Sequence, residues 1–265
     1  MKLLVKLGGT LLDNVDSRRR LAAELTALRD AGHALVVVHG GGKQMTRFLA
    51  ERGVESKFVN GLRVTTPDVV DAVLKVFAGS VNHELVASLV EAGAMAVGLS
   101  GIDACLAEAE QMDPALGAVG RVVRSNPAVL ETLTRDGFVP VVACVAGDRH
   151  GNVYNVNADL MAVACAVGFG VDRLIFLTDV DGVRDAEGSV ISTLRPSDCR
   201  HLIEAGVATG GMQAKLNAAM DALAGGIGQV VIAPGALERA AARILAGEPI
   251  GTTLVPEAEE VARDA

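Results

Sequence analysis

Short apolar runs alternate along this 265-residue chain with longer segments of helical periodicity, and that alternation restricts the fold more than any other feature. Leu3 to Leu7, Leu35 to His39, Ala96 to Leu99, Val139 to Val145, Leu174 to Thr178 and Val230 to Ala233 read as strands. Between them Ser17 to Ala31, Asp68 to Glu91, Pro127 to Asp136, Ala158 to Val167, Met212 to Ala224 and Leu237 to Leu245 carry helical spacing. The class is therefore α/β with a largely parallel sheet, in which ligands gather at the carboxyl ends of strands. Gly147 to Asn152 is a strong turn signal, and Gly117 to Val123 with Val153-Tyr154 predicts a β-ribbon near mid-chain. A lobe boundary is expected near residue 168, and the mostly charged stretch 256–265 is expected to fray.

Several function classes are disfavoured at once. A net charge of -8 argues against a nucleic-acid surface, though a local basic pocket for an anion is compatible with it. No stretch approaches the roughly 18 uninterrupted apolar residues of a membrane span, and no basic region followed by a cleavable apolar one opens the chain. A cytoplasmic protein with no membrane partner is expected. Cys105, Cys144, Cys165 and Cys199 form no Cys-x-x-Cys pair and read as small buried hydrophobes, while the five histidines lack metal spacing.

The chemistry-bearing segments are glycine turns, cations and polar helix starts. The first strand sets Lys6 directly before Leu7-Gly8-Gly9, where bare amides and an ammonium together suit a phosphate; a strand end with a plain turn explains that segment alone equally well. His39-Gly40-Gly41-Gly42 follows a strand and precedes a helix that begins near Lys43, again a place for an anion. Such a run also supplies oxyanion-hole amides in some esterases. The only candidate elbow, Gly98-Leu99-Ser100-Gly101-Ile102, misplaces its second glycine, which sets a hydrolase aside. Gly42-Lys43-Gln44 fails the P-loop pattern, and no Gly-x-Gly-x-x-Gly occurs.

Arg63, in Asn60-Gly61-Leu62-Arg63-Val64-Thr65, can clamp a carboxylate bidentately or be one surface arginine of many. Asn155-Val156-Asn157-Ala158-Asp159 crowds polar residues onto the start of an apolar helix. Capping by Asn157 leaves Asn155 and Asp159 for ligand or catalytic contacts. Leu177 to Val183 reads as a ligand-binding loop after an apolar strand, with a simple acidic turn as the alternative. Thr209-Gly210-Gly211-Met212-Gln213-Ala214-Lys215 opens a helix on a double glycine with a lysine close behind.

In their order and approximate spacing these six segments resemble those of the amino acid kinase family, along the whole chain. The resemblance implies a three-layer αβα sandwich with a central, mainly parallel sheet and two lobes, 1–168 for an N-acyl amino acid and dimerisation and 169–265 for ATP. It implies phosphoryl transfer from ATP to the side-chain carboxylate of N-acetyl-L-glutamate, the second step of arginine biosynthesis. Lys6 and Lys215 would then stabilise the transferred group from opposite sides while Asp159 orients both. Gly8, Gly9, Gly41 and Gly42 would offer amides, Arg63 would hold the acceptor's α-carboxylate, and Asn155 its acetamido end or neighbouring carboxylate. Thr178, Asp179, Val180, Asp181, Gly182, Val183 and Arg184 would hold ATP together with Val207, Ala208, Thr209, Gly210 and Gly211. Mg²⁺ would be coordinated mainly by phosphate oxygens, with no dedicated protein cage. A glutamyl carboxylate, with a pKa of about 4.3, is already ionised at neutral pH, so the site needs charge neutralisation and no catalytic base.

Relatives in that family commonly show Gly-Lys-Asp-Gly where this chain has Gly101-Ile102-Asp103-Ala104, and proline where it has Lys43 and Ala214. These departures bear on acceptor preference. Relatives inhibited by arginine usually carry a helix before the first strand, whereas strand residues begin here at Leu3, so a homodimer joined through helices such as Asp68 to Glu91, without an arginine site, is expected. The competing readings are a family member acting on uridylate or on carrier-linked aminoadipate or glutamate, and a non-catalytic amino-acid or nucleotide sensor.

Overall fold

The computed structural model describes residues 1–59 and 61–257; Asn60 and the charged tail from 258 onward, where fraying is expected, lie outside the described residues. Eight strands form the central sheet in the order Thr193–Leu194, Thr252–Leu254, Gln229–Pro234, Arg173–Thr178, Lys2–Leu7, Ala34–His39, Val139–Ala143 and Ala96–Ser100. The last six run parallel, and Thr252–Leu254 turns back antiparallel at one side. Leu3 to Val5, Val36 to Val38 and Leu174 to Leu177 are fully buried, as strands covered on both faces must be.

Helices Val15–Asp30, Asn82–Glu91 and Ala240–Leu245 pack with one another on one face, and Ala158–Phe169, Pro196–Glu204 and Gly210–Ala224 on the other. The result is the expected three-layer sandwich. The helix from Pro67 to Glu91 is continuous but widens to a π-type turn over Leu74–Val81. By length and composition alone it could cross a membrane, although Asp68, Asp71, Lys75, His83 and Glu84 interrupt it. Here it lies against the Val15–Asp30 helix and the Ala96–Ser100 strand.

Three expectations need correction. The run Val139 to Val145 is two strands, because the chain leaves the main sheet at Cys144 and Val145–Gly147 enters a small closed sheet with Ala107–Gln111, Val119–Ser125 and Val153–Val156. Within that sheet the 119–125 and 153–156 strands pair parallel, so they make no ribbon; across the Gly147 to Asn152 turn the antiparallel partner of Val153–Val156 is Val145–Gly147. Cys144, Cys165 and Cys199 are buried as expected, but Cys105 is exposed. It sits in a tight turn where Ala104 and Cys105 have φ of 51° and 54°, which swings the thiol away from the core. Ala104 thus holds a left-handed conformation, costing a Cβ-bearing residue roughly 1 kcal/mol.

Candidate active site

The register of the sheet brings three turns to one edge. Lys6 lies opposite Phe176 on one side and Val38 on the other, and Leu7 opposite Leu177 and His39. The turns that follow these strands, Gly8-Gly9, Gly40 to Gly42 and Asp179 to Arg184, are therefore neighbours at the carboxyl edge. The Gly8 N–H donates to the Leu177 carbonyl at 2.9 Å and the Gly40 N–H to that of Leu7 at 3.2 Å, which ties the turns together. A Cβ on Gly9 would stand 3.1 Å from the amide nitrogens of both Gly41 and Gly42. Those nitrogens face Gly9 across a gap that any side chain would fill. Among the described residues the amides of Gly9, Gly41 and Gly42 donate to no backbone acceptor, and Gly42 opens the Gly42–Ala50 helix, whose positive end adds to the attraction for an anion.

Beside this gap one carboxylate holds two ammonium groups. Asp159 Oδ1 pairs with Lys6 Nζ at 2.6 Å and Oδ2 with Lys215 Nζ at 3.0 Å. Asn157 is the cap of the Ala158–Phe169 helix, its Oδ1 accepting from the Asp159 and Leu160 amides, so the carboxylate is left for the lysines. Asp159 and Lys6 are buried, and Lys215 is partly exposed on the second turn of its helix. Burial alone would push the Asp159 carboxyl up; the two ammonium groups outweigh it and hold the group below the usual carboxylate range. At neutral pH the cluster carries one negative and two positive charges, and the surplus positive charge awaits an anion.

On the acceptor side a cavity of about 160 Å³ is lined by Gly40 to Gly42, Arg63, Phe77 and Asn155. The Arg63 guanidinium is fixed before any ligand arrives. It donates to Thr46 Oγ1 at 2.8 Å, to the Gly42 carbonyl at 3.2 Å and to Ser56 Oγ, and it stacks over the Phe58 ring. Burial lowers its pKa, but an arginine so displaced stays charged. Asn155 Nδ2 donates to Thr65 Oγ1 at 3.0 Å, and that hydroxyl donates to the Arg63 carbonyl at 2.8 Å, so the two expected acceptor residues are linked through Thr65. Ser56, Phe58, Thr46 and Thr65 escaped the sequence reading. Only Thr65, inside the Arg63 motif, carried any signal.

On the other side Asp179, Val180, Asp181 and Arg184 are exposed, and Asp181 pairs with Arg184 at 2.8 Å. Thr178 Oγ1 donates to Asp179 Oδ1 at 3.1 Å. Val183 is buried and its N–H donates to Thr252 Oγ1 at 2.8 Å, while a Cβ on Gly182 would collide with the Val190 and Thr252 side chains. Val207 is half-buried and Ala208 buried, and both amides donate to the Leu202 carbonyl; Thr209, Gly210 and Gly211 are exposed at the start of the lysine-bearing helix. No hydrogen bond among the described residues joins 178–184 to 207–211. Among the described residues no group of three or more His, Cys, Asp or Glu could hold a metal ion.

Residues 1–234 match the family model described as the amino acid kinase family. The chain is 69% identical to an acetylglutamate kinase from Solibacter usitatus, over 96% of this chain and 99% of that one. It is 43% identical to one from Acidobacterium capsulatum, over 88% and 91%. Among solved structures it resembles the N-acetylglutamate synthase from Neisseria gonorrhoeae complexed with coenzyme A and N-acetyl-glutamate, with a TM-score of 0.85, 26% identity, and 97% of this chain but 60% of that one covered. A Streptococcus mutans protein gives a TM-score of 0.82 at 28% identity, covering 96% and 98%.

Proposed function

The chain belongs to the amino acid kinase family, and from that premise we propose that it transfers the γ-phosphoryl group of ATP to the side-chain carboxylate of N-acetyl-L-glutamate, the second step of arginine biosynthesis. The observation that carries the reading is Asp159 holding Lys6 and Lys215 beside the Gly9, Gly41 and Gly42 amides, which donate to no backbone acceptor among the described residues. Both reactants are anions, so their mutual repulsion is the obstacle and positive charge is the remedy. Lys6 and Lys215 neutralise the phosphoryl group in flight, and Gly9, Gly41 and Gly42 supply amides to its oxygens and to the acceptor; Gly8, expected to do the same, has its N–H committed to the Leu177 carbonyl and shapes the turn instead. Arg63 takes the acceptor's α-carboxylate and Asn155 its other polar end. Thr178 to Arg184 and Val207 to Gly211 frame the nucleotide site; the buried Val183, its N–H donated to Thr252 Oγ1 and its carbonyl accepting from the Ile191 N–H, and the buried Ala208, its N–H donated to the Leu202 carbonyl, hold these loops in shape. Mg²⁺, bound together with ATP, would supply further positive charge to the phosphates without a dedicated protein cage. On this reading 1–168 is the acceptor lobe and 169–265 the ATP lobe.

Incubation with Mg-ATP and a panel of free, N-acetylated and carrier-linked acidic amino acids, with hydroxylamine to trap any acyl phosphate, is expected to give hydroxamate with N-acetyl-L-glutamate. Its absence there, or a stronger yield from another acceptor, overturns the assignment.

The protein is further proposed to be a cytoplasmic homodimer that binds neither nucleic acid nor membrane. Leu74 and Val90 on the Pro67–Glu91 helix, with Met95 beyond it, are exposed beside Ala96–Ser100, the unpaired edge of the main sheet. Light scattering should return twice the chain mass; a monomer or a hexamer refutes the dimer.

A further inference from the structure

His39 is fully buried, stands next to the glycine turn and has no part in the transfer as described above. Its two nitrogens have different partners. Nδ1 lies 2.9 Å from the Gly40 carbonyl, and Nε2 lies 3.0 Å from Asn82 Nδ2. Asn82, itself buried, also directs Nδ2 at the Val141 carbonyl, 2.9 Å away. A carbonyl only accepts, so one amide hydrogen goes to Val141 and the other to His39 Nε2. The reverse amide orientation would set Oδ1 against the Val141 carbonyl, two acceptors face to face. Nε2 is therefore the bare nitrogen, and the proton sits on Nδ1, where it is donated to the Gly40 carbonyl. Burial, only partly offset by that hydrogen bond, lowers the His39 pKa to about 4, which keeps the ring neutral at physiological pH.

The consequence concerns the next peptide. In a trans peptide the C=O and N–H point in opposite directions, so a Gly40 carbonyl drawn inward to His39 leaves the Gly41 N–H facing outward. Outward here is the gap opposite Gly9, where the Gly41 and Gly42 nitrogens stand. We propose that His39 is a positioning residue, held by Asn82 with its proton on Nδ1, that fixes the Gly40–Gly41 peptide so that the Gly41 N–H meets the transferred phosphoryl group.

The same stretch of helix steadies both ends of this arrangement. Asn82 follows directly on the π-type turn Leu74–Val81, and Phe77 and Val81 from that turn press against Gly41 from beneath; a Cβ there would fall 2.8 Å from the Phe77 ring. Gly98 leaves room for Asn82, since a Cβ at 98 would fall 2.1 Å from its Oδ1. Widened turns of this kind are frequent at functional sites, and this one is placed where the helix supports the loop.

The inference rests on the kinase reading for its catalytic consequence, but the proton assignment does not. Long-range ¹H–¹⁵N correlation on the intact protein at neutral pH should show the His39 ring neutral, with Nδ1 protonated and Nε2 bare; an Nε2–H ring or an imidazolium overturns the proposal whatever the activity. Kinetically, His39→Leu keeps most of the volume and removes the donor, and should lower kcat at least about tenfold with KM for the acceptor within about threefold, as expected for an amide that acts on the transition state. His39→Asn, whose Nδ2 lies near the place of the imidazole Nδ1, should restore kcat to within about threefold of the parent. Leucine with the parent's kcat, or asparagine as impaired as leucine, refutes the positioning role. Absence of turnover in the parent would instead refute the kinase reading and leave the tautomer measurement standing.

Discussion

Replacing Lys215 with alanine is expected to lower kcat by about two orders of magnitude or more while KM for N-acetyl-L-glutamate changes by no more than a few fold. The asymmetry follows from where the side chain stands. Lys215 is held by Asp159, is partly exposed, and does not line the acceptor cavity bounded by Arg63 and Asn155. Its charge therefore does little for acceptor binding and most when negative charge passes between the two reactants. The alanine variant should fold, because the deleted ammonium is partly solvated and Asp159 keeps Lys6 at 2.6 Å. Steady-state kinetics with both substrates varied, beside circular dichroism of the variant, checks the result. A kcat within a few fold of the parent's would remove Lys215 from the mechanism.

The parts of this site that could be read from the sequence were those whose residue types are costly elsewhere. Consecutive glycines after a strand conflict with local propensity and so mark a function, and Asp159, although a first-turn acid suits a helix start, stands out because Asn157 already caps that helix. The strands Ala34–His39 and Arg173–Thr178 were legible for a related reason: buried on both faces, they are apolar through their middles, Leu35 to Val38 and Leu174 to Leu177. What escaped depends on pairing that no local pattern encodes. Ala107–Gln111 alternates alanine with glutamate and has little strand propensity; it is a strand because Glu108 and Glu110 meet Arg124 and Arg121 across the small sheet. The helix Pro196–Glu204 buries only Cys199 and thus shows almost no apolar stripe. Thr46 and Ser56 are ordinary residues until Arg63 arrives between them. His39 was read for its glycines and not for its ring, because a histidine's role lies in its partners, and Asn82 is 43 positions away.

Asp159→Asn tests the charge logic of the centre more sharply than any lysine substitution, since it keeps the volume and removes only the negative charge. Two ammonium groups then face a neutral amide, with Lys6 buried, and an uncompensated buried charge of this kind costs about 3 kcal/mol or more of stability. The sign of the pH dependence agrees. Because Asp159 has a depressed pKa in the folded protein, its contribution is complete above the ordinary carboxylate value and is lost as pH falls through the folded one, so the parent's stability should converge on the variant's only in acid. ATP separates loss of charge from loss of fold. Its phosphates bring to the lysines the negative charge that the asparagine lacks, so Mg-ATP should raise the variant's melting temperature by more than the parent's, and KM for ATP should be unchanged or lower. Yet kcat should fall by about two orders of magnitude, because lysines released from Asp159 settle on the ground-state phosphates instead of being held where the phosphoryl group passes. An Asp159→Asn enzyme with a kcat within a few fold of the parent's would show that the lysines need no organiser. Equal stabilisation of the two proteins by ATP would show that their charge does not reach the nucleotide.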